Sequence, residues 1–419
     1  FMTRIFADAG QPTGAFDRLP AMSSAPLAFS ALFCALLLLQ SAVRLWLSGR
    51  QIRHVARHRD SVPAPFAERV PLAAHQKAAD YTIAKGRLGL IEVALGAAVA
   101  LGWTLLGGLN LLNHALLEWL GGGMVQQLAL LAGFVLIGGL VELPLSWYAT
   151  FRLEQSFGFN KTTPALWLGD LLKSALVGAA IGLPIAALVL WLMQATGSHW
   201  WLWAWGAWMV FNLLLLVLYP TVIAPLFNQF KPLEDETLKA RVTALMQRCG
   251  FAAKGLFVMD GSRRSAHANA YFTGFGAAKR VVFFDTLLRQ LSPAEVEAVL
   301  AHELGHFKHK HVTRRMLGMF AVSLAGFALL GWLSTRGWFY TGLGVQPNLM
   351  IEGLPGSAPN DALALLLFLL AVPVLTLFAQ PLMAQISRHQ EFQADAYAVS
   401  QASGTELASA LLKLYQDNA

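Results

Sequence analysis

The sequence predicts an all-α polytopic membrane protein of about seven transmembrane helices, carrying one small cytoplasmic α+β insertion. Three observations predict it. The 419-residue chain is 56% hydrophobic and 13% charged, with mean hydropathy +0.52, where an ordinary soluble domain carries about 25% charged residues. Seven segments run without a charge over spanning length: about 19–43, 93–117, 119–141, 174–198, 199–230, 316–335 and 362–387. Each supplies the roughly 20 residues that cross a bilayer core. Residues 221–314 are the one sizeable polar stretch among them.

The first apolar run is long enough to span, and no cleavable signal precedes it; Phe1 reads as a residue placed ahead of the start Met2. The second and third runs are separated only by Glu118 and Gly121-Gly122-Gly123, which predicts a tight connection. The fifth carries Pro220 and Pro225, so its helix is expected to end near Tyr219. Orientation follows from the loops. Between Arg44 and Arg87 stand nine Lys/Arg against three Asp/Glu, whereas the connections near 118–123 and 196–200 have no Lys or Arg. The positive-inside rule then puts 44–87, 150–173, 221–314 and the C-terminus in the cytoplasm.

Charge and cysteine content exclude several classes. The net charge of +7 is explained by these loops, and no basic stripe with interleaved aromatics suggests a nucleic-acid partner. Cys34 and Cys249 lie too far apart in kind and position to suggest a disulfide framework or a thiolate metal site. A transporter would show acids or helix breaks paired across two halves, and no such symmetry is present.

The chemistry is concentrated in Ala298 to His309, AVLAHELGHFKH. Positions i and i+4 share a helix face, so His302 and His306 can both address one metal ion. Glu303, next to the first His, is placed to act as general base toward water at that metal. By accident the pattern would occur in about one such chain in a hundred. Ser292-Pro293-Ala294-Glu295 announces the helix with a cap, a Pro in the first turn and a Glu three residues on.

Upstream, Leu233 to Cys249 reads as an amphipathic helix. Gly255 to Asp260, Asn269 to Phe275 and Arg280 to Phe284 read as three short strands. A sheet beside a metal helix can accept an extended peptide on a free edge, or can simply pack the helix. A third ligand must come from elsewhere. Glu391 is one candidate, with Asp395 on the same face able to accept the second ring N–H of a ligand His. His389 is another candidate, and a solvated pair of helix-end carboxylates is the alternative to both. His309 and His311, beside Lys308 and Lys310, read as decoration of a cytoplasmic helix end. The chain thus divides into 19–230 (five membrane helices), 231–314 (the insertion with the metal helix) and 315–419 (two membrane helices and the third-ligand helix).

Several blocks in order resemble the type I CAAX prenyl endopeptidases, integral-membrane zinc proteases. They are His75-Gln76-Lys77-Ala78-Ala79-Asp80-Tyr81; Phe157 to Lys161 with Asp170 and Lys173; Pro225 to Asn228; Ala268 to Phe272; Lys279-Arg280; Asp285 to Leu288; and Glu391 to Asp395. The resemblance implies a seven-helix barrel enclosing a water-filled chamber with zinc at its cytoplasmic end. It implies zinc held by His302, His306 and Glu391, Glu303 as base, Asp395 behind a ligand His, and Asn269 and Tyr271 on the substrate edge. It implies a prenylated-protein or peptide substrate, with a membrane quality-control protease as the alternative within the same chemistry. Family chains continue past the Leu-Tyr-x-Asn region to a His/Pro-rich segment and an Arg, so no oxyanion residue is assigned within Ala419. Ala/Leu/Arg-rich usage points to a bacterial inner membrane, where prenylated substrates would be unexpected, rather than to endoplasmic reticulum.

Overall fold

The computed structural model describes residues 24–251, 255–273, 279–349 and 358–417. Among these, seven helical paths are long and apolar enough to cross a membrane. The first is α1 (Ser24–Arg57) and the second α2 (Leu72–Trp103). The second span therefore lies earlier than the run at 93–117. The helix starts at Leu72 and carries Lys77, Asp80, Lys85 and Arg87 on its first turns, then breaks before Gly107, whose φ is +84°. The next helix, α3 (Gly108–Leu120), is 13 residues long and too short to span. The expected turn does come after it, through Gly121 and Gly123 at φ +70° and +128°.

The third span is α4 (Met124–Tyr148), continued by a π-helical turn to Glu154. The fourth is α5 (Pro164–Ala195), capped by Thr163 with Pro164 in its first turn. The fifth, α6 (Trp200–Leu218), stops as an α-helix one residue short of Tyr219. It is carried on by a π-helical turn, Tyr219–Ile223, into α7 (Ala224–Phe227). Widening to π accommodates Pro220 without ending the path.

The insertion opens with β1 (Phe230–Pro232) and α8 (Glu236–Arg248). It continues through β2 (Gly255–Met259), β3 (Ala270–Thr273), β4 (Arg280–Phe284) and α9 (Asp285–Gln290) to α10 (Pro293–Lys308). The sheet order is β1-β2-β4-β3, with β2 and β4 parallel and both outer pairs antiparallel. β1 is a strand that the sequence pattern does not announce; Phe275 lies outside the described residues. Two spans complete the chain. One is α11 (His311–Leu333), followed by the short α12 (Gly337–Gly342). The other is α13 (Asp361–Thr376), which passes through a 3₁₀ turn into α14 (Gln380–Gln401); α15 (Gly404–Asp417) comes last.

The spans close a ring. α1 packs on α2 and on α13, α13 on α11, α11 on α6, α6 on α5, α5 on α4, and the π-helical end of α4 returns to α2. Leu38, Leu176 and Val322 are 66%, 71% and 74% exposed, which makes sense only against hydrocarbon. Two buried cores sit at opposite ends. One gathers the same end of every span, including Trp103 of α2, Leu130 of α4, Leu190 of α5, Trp200 of α6, Leu330 of α11 and Leu363 of α13, with Leu109, Phe339 and Leu343 plugging it. The other joins the insertion to α14 and α15. A ring plugged at one end and carrying the insertion at the other is a closed-bottomed chamber.

The insertion is fastened to the barrel by Arg264. Its guanidinium donates to both carboxylate oxygens of Asp170 on α5 at 2.8 and 3.0 Å, and to Asn228 Oδ1 at 3.0 Å. Its own carbonyl accepts from Lys161 N–H at 3.1 Å.

A second anchor lies at the head of the metal helix. Ser292 and Glu295 form the capping box that the sequence predicted. The Glu295 carboxylate, 2% exposed, also accepts from Lys413 Nζ at 2.8 Å and Ser409 Oγ at 2.7 Å, tying α15 to α10. Burial pushes this carboxyl up, but the bonds from Lys413, the Ser292 N–H and Ser409 together outweigh it and hold it at about 2, below the ordinary 4.5. A depressed carboxylate stabilises the fold fully above the unfolded value and loses that contribution as pH falls from 4.5 toward 2. The difference is worth about 3 kcal/mol. Thermal unfolding in detergent should show a steep acid loss between pH 5 and 3 in the parent chain. E295Q should start lower at pH 7 and lose less over the same window; equal acid slopes would rule out this linkage.

Candidate metal centre

Helices α10 and α14 cross at Gly305, where a Cβ would lie 2.8 Å from Ala394 Cα and 3.0 Å from its carbonyl oxygen. That close approach brings one face of each helix together. α10 contributes His302 and His306, one turn apart, and α14 contributes Glu391. His302 Nε2 and His306 Nε2 are 3.3 Å apart, and Glu391 Oε2 lies 3.4 and 3.6 Å from them. Three donor atoms so placed form a group able to hold a metal ion.

The donor set can be tested for fit. Two imidazoles and a carboxylate suit zinc, whose bonds to such ligands are about 2.0–2.1 Å long. A tetrahedron with those bonds has edges of about 3.3–3.4 Å, and the observed separations of 3.3, 3.4 and 3.6 Å match it. His302 Nδ1 lies 2.8 Å from Asp395 Oδ1. A carboxylate only accepts, so Nδ1 carries the proton and Nε2 is left bare toward the other donors. Burial pushes the His306 imidazole down, favouring its neutral, ligating form.

Glu303 adjoins this group without joining it. Burial pushes its carboxyl up; His302 opposes the shift and the charge of Glu391 adds to it. A raised pKa makes the carboxylate a stronger base. Glu303 and His302 line a cavity of about 210 Å³ together with Asn269, Ala270, Val299, Leu287, Leu407, Leu411, Leu414, Ala268 and Asp395. Most of that lining is aliphatic.

β3 is an edge strand of the sheet, as the substrate-edge reading requires. The Phe284 N–H donates to the Asn269 carbonyl at 2.9 Å. Antiparallel alternation then turns the main-chain groups of Tyr271 toward β4 and leaves those of Ala270 and Phe272 on the free edge. Asn269 lines the cavity, its Oδ1 accepting from the Ala270 N–H at 2.8 Å. Tyr271 does not line it; its hydroxyl is 3.9 Å from Met259 Sδ and its ring packs edge-on to Phe284.

Two histidines depart from what the sequence suggests. His389 stands outside the donor group, its Nε2 3.1 Å from Gln393 Nε2. His311 is no surface decoration: it is 3% exposed, with Nδ1 2.9 Å from His306 Nδ1. Its proximity to the motif was the available signal, and the neighbouring lysines masked it.

Most of the chain matches known protein families. Residues 51–229 match the family model described as CAAX prenyl protease N-terminal, five membrane helices, and residues 232–417 match peptidase family M48. The CAAX prenyl protease 1 homolog of Taenia solium is 35% identical over 303 residues, 66% of this chain and 62% of that protein. The homolog of Arabidopsis thaliana is 35% identical over 301 residues, 70% of this chain and 67% of that protein. The matched stretch thus spans about two thirds of these relatives' lengths. The crystal structure of S. mikatae Ste24p superposes with a TM-score of 0.84 at 30% identity, covering 93% of this chain and 92% of that one.

Proposed function

Because this chain belongs to the CAAX prenyl protease family of membrane metallopeptidases within M48, we propose that it is a zinc endopeptidase that removes C-terminal residues from prenylated peptides at the cytoplasmic face of its membrane. The observation that carries this is the donor triangle of His302, His306 and Glu391 beside a half-buried Glu303 at the end of the chamber that bears the insertion. Zinc held there would supply a Lewis acid that polarises the scissile carbonyl and acidifies water.

The remaining roles belong to the chain. Asp395 fixes the His302 tautomer. The free edge of β3 binds the peptide as an added strand through the Ala270 carbonyl and the main-chain groups of Phe272, with the Asn269 side chain facing the cavity and Tyr271 bracing the strand from the sheet. Glu303 takes the proton of the attacking water and delivers it to the leaving amine. The aliphatic cavity beside Glu303 suits a small apolar side chain of the peptide. The lipid bilayer surrounds α1, α2, α4, α5, α6, α11 and α13, while the 231–314 insertion carries the metal helix and α14 brings the third ligand to it at the cytoplasmic face. Loop charge supports the cytoplasmic orientation, and composition supports a bacterial inner membrane.

Matched prenylated and unprenylated peptides, with and without a zinc chelator, test the reading. The prenylated peptide should lose its C-terminal residues at least about tenfold faster, since remote binding energy raises the specificity constant, and chelation should stop both reactions. Equal rates would replace prenyl processing with membrane quality control. No cleavage by zinc-loaded protein would overturn both.

A further inference from the structure

A chain of hydrogen bonds leads away from the second ligand histidine and returns to the third-ligand helix. His306 Nδ1 is 2.9 Å from His311 Nδ1, His311 Nε2 is 2.9 Å from Gln393 Oε1, and Gln393 Nε2 is 3.1 Å from His389 Nε2. One assignment of protons satisfies every link. The amide oxygen of Gln393 only accepts, so His311 carries its proton on Nε2. Neutral His311 then has a bare Nδ1, which accepts from the Nδ1–H of His306. His306 Nε2 is thereby left bare, on the side of His302 and Glu391. Gln393 completes the chain by donating its NH₂ to the bare Nε2 of His389.

The backbone is shaped for this contact. Lys310 has φ +56°, the one non-glycine residue in the left-handed region among the described residues. The turn it makes ends α10 and starts α11 at His311, so the first side chain of α11 folds back beneath His306. Left-handed geometry is costly for a lysine and persists where packing enforces it. His311 is 3% exposed, so water does not substitute for it. The two ligand histidines are therefore supported alike: His302 by a carboxylate on α14, and His306 by an imidazole that is itself anchored to α14.

We infer that His311 is a positioning residue that fixes the tautomer and ring orientation of His306 and thereby sets the affinity of the metal site, with Gln393 holding His311 in register. This rests on the reading of His302, His306 and Glu391 as zinc ligands. Partners behind a ligand histidine typically contribute 10- to 100-fold in metal affinity.

The test is equilibrium zinc affinity of detergent-purified full chain, by competition with a chromophoric chelator, for the parent, H311L, H311N and Q393L. H311L should bind zinc about 10- to 100-fold more weakly. H311N places an amide oxygen near the position of Nδ1 and should recover most of that loss. Q393L, at a less buried position, should weaken binding by several-fold, roughly the low end of the same range. H311L binding at parental affinity would overturn the inference. H311N and H311L failing equally would reduce His311 to packing and also overturn it. A parent chain that binds no zinc would overturn the ligand reading itself, which distinguishes the two failures.

Discussion

Replacing Glu303 with Gln is expected to lower turnover by roughly 10²- to 10⁴-fold while one zinc per chain remains bound. Gln has nearly the same shape, so the packing of α10 is preserved, but its amide cannot accept the proton of an attacking water. Glu303 is not among the three clustered donors, so its loss leaves the holding of the metal intact. Its environment explains why the effect should be large. Burial and the charge of Glu391 both push its carboxyl up, placing a strong base beside the donors. The measurement is kcat and KM on a cleaved peptide together with zinc content. The expected pattern is a collapse in kcat with little change in KM, since the proton is transferred only in the transition state. Parental turnover in E303Q would eliminate Glu303 as the base; loss of zinc would make it a ligand instead.

The parts of this site that are legible in the sequence are those specified locally. The spacing of His302 and His306, the Ser292 cap and the three short apolar strands each follow from one stretch of chain. Hydropathy marks apolar runs, but an apolar run is not a helix boundary: the run at 93–117 straddles the end of α2 and most of α3. α2 begins at Leu72 because nothing between Leu72 and Arg87 breaks a helix, although its charges hide it from an apolar scan. Pro220 predicts a stop and produces a π turn, because neighbouring helices hold the path together. The three-residue β1 is too short to register, and its Pro232 argues against a strand. His311 illustrates the limit most clearly. Flanked by Lys310 and close to Lys308, it has the local pattern of a solvated helix end, and only the tertiary crossing of α10, α11 and α14 buries it. Glu391 is the converse case: distant in sequence from the histidines, it is one of several candidates by spacing and is brought to them by the same crossing.

That crossing makes Gly305 the position where the smallest change should have the largest structural effect. On an isolated helix Gly→Ala would stabilise by about 1 kcal/mol. Here the added Cβ would sit 2.8 Å from Ala394 Cα and 3.0 Å from its carbonyl oxygen. Both are backbone atoms that no rotamer change can move aside, and overpacking of this kind costs about 1–3 kcal/mol. The unfavourable term therefore wins. Relief requires α14 to shift away from α10, and Glu391 and Asp395 flank Ala394 on that helix and must move with it. The donor separations already match a zinc tetrahedron, and metal sites tolerate about ±0.2 Å in their bond lengths. G305A should consequently weaken zinc binding by roughly 10²-fold or more, about 3 kcal/mol, and lower the unfolding temperature even without zinc. G318A is the matched control, since a Cβ at Gly318 of α11 meets nothing within 4 Å. It should leave zinc affinity unchanged and should not lower the unfolding temperature. A G305A chain that binds zinc at parental affinity would mean that the site is set by the donors alone and that the close crossing of α10 and α14 is incidental to it.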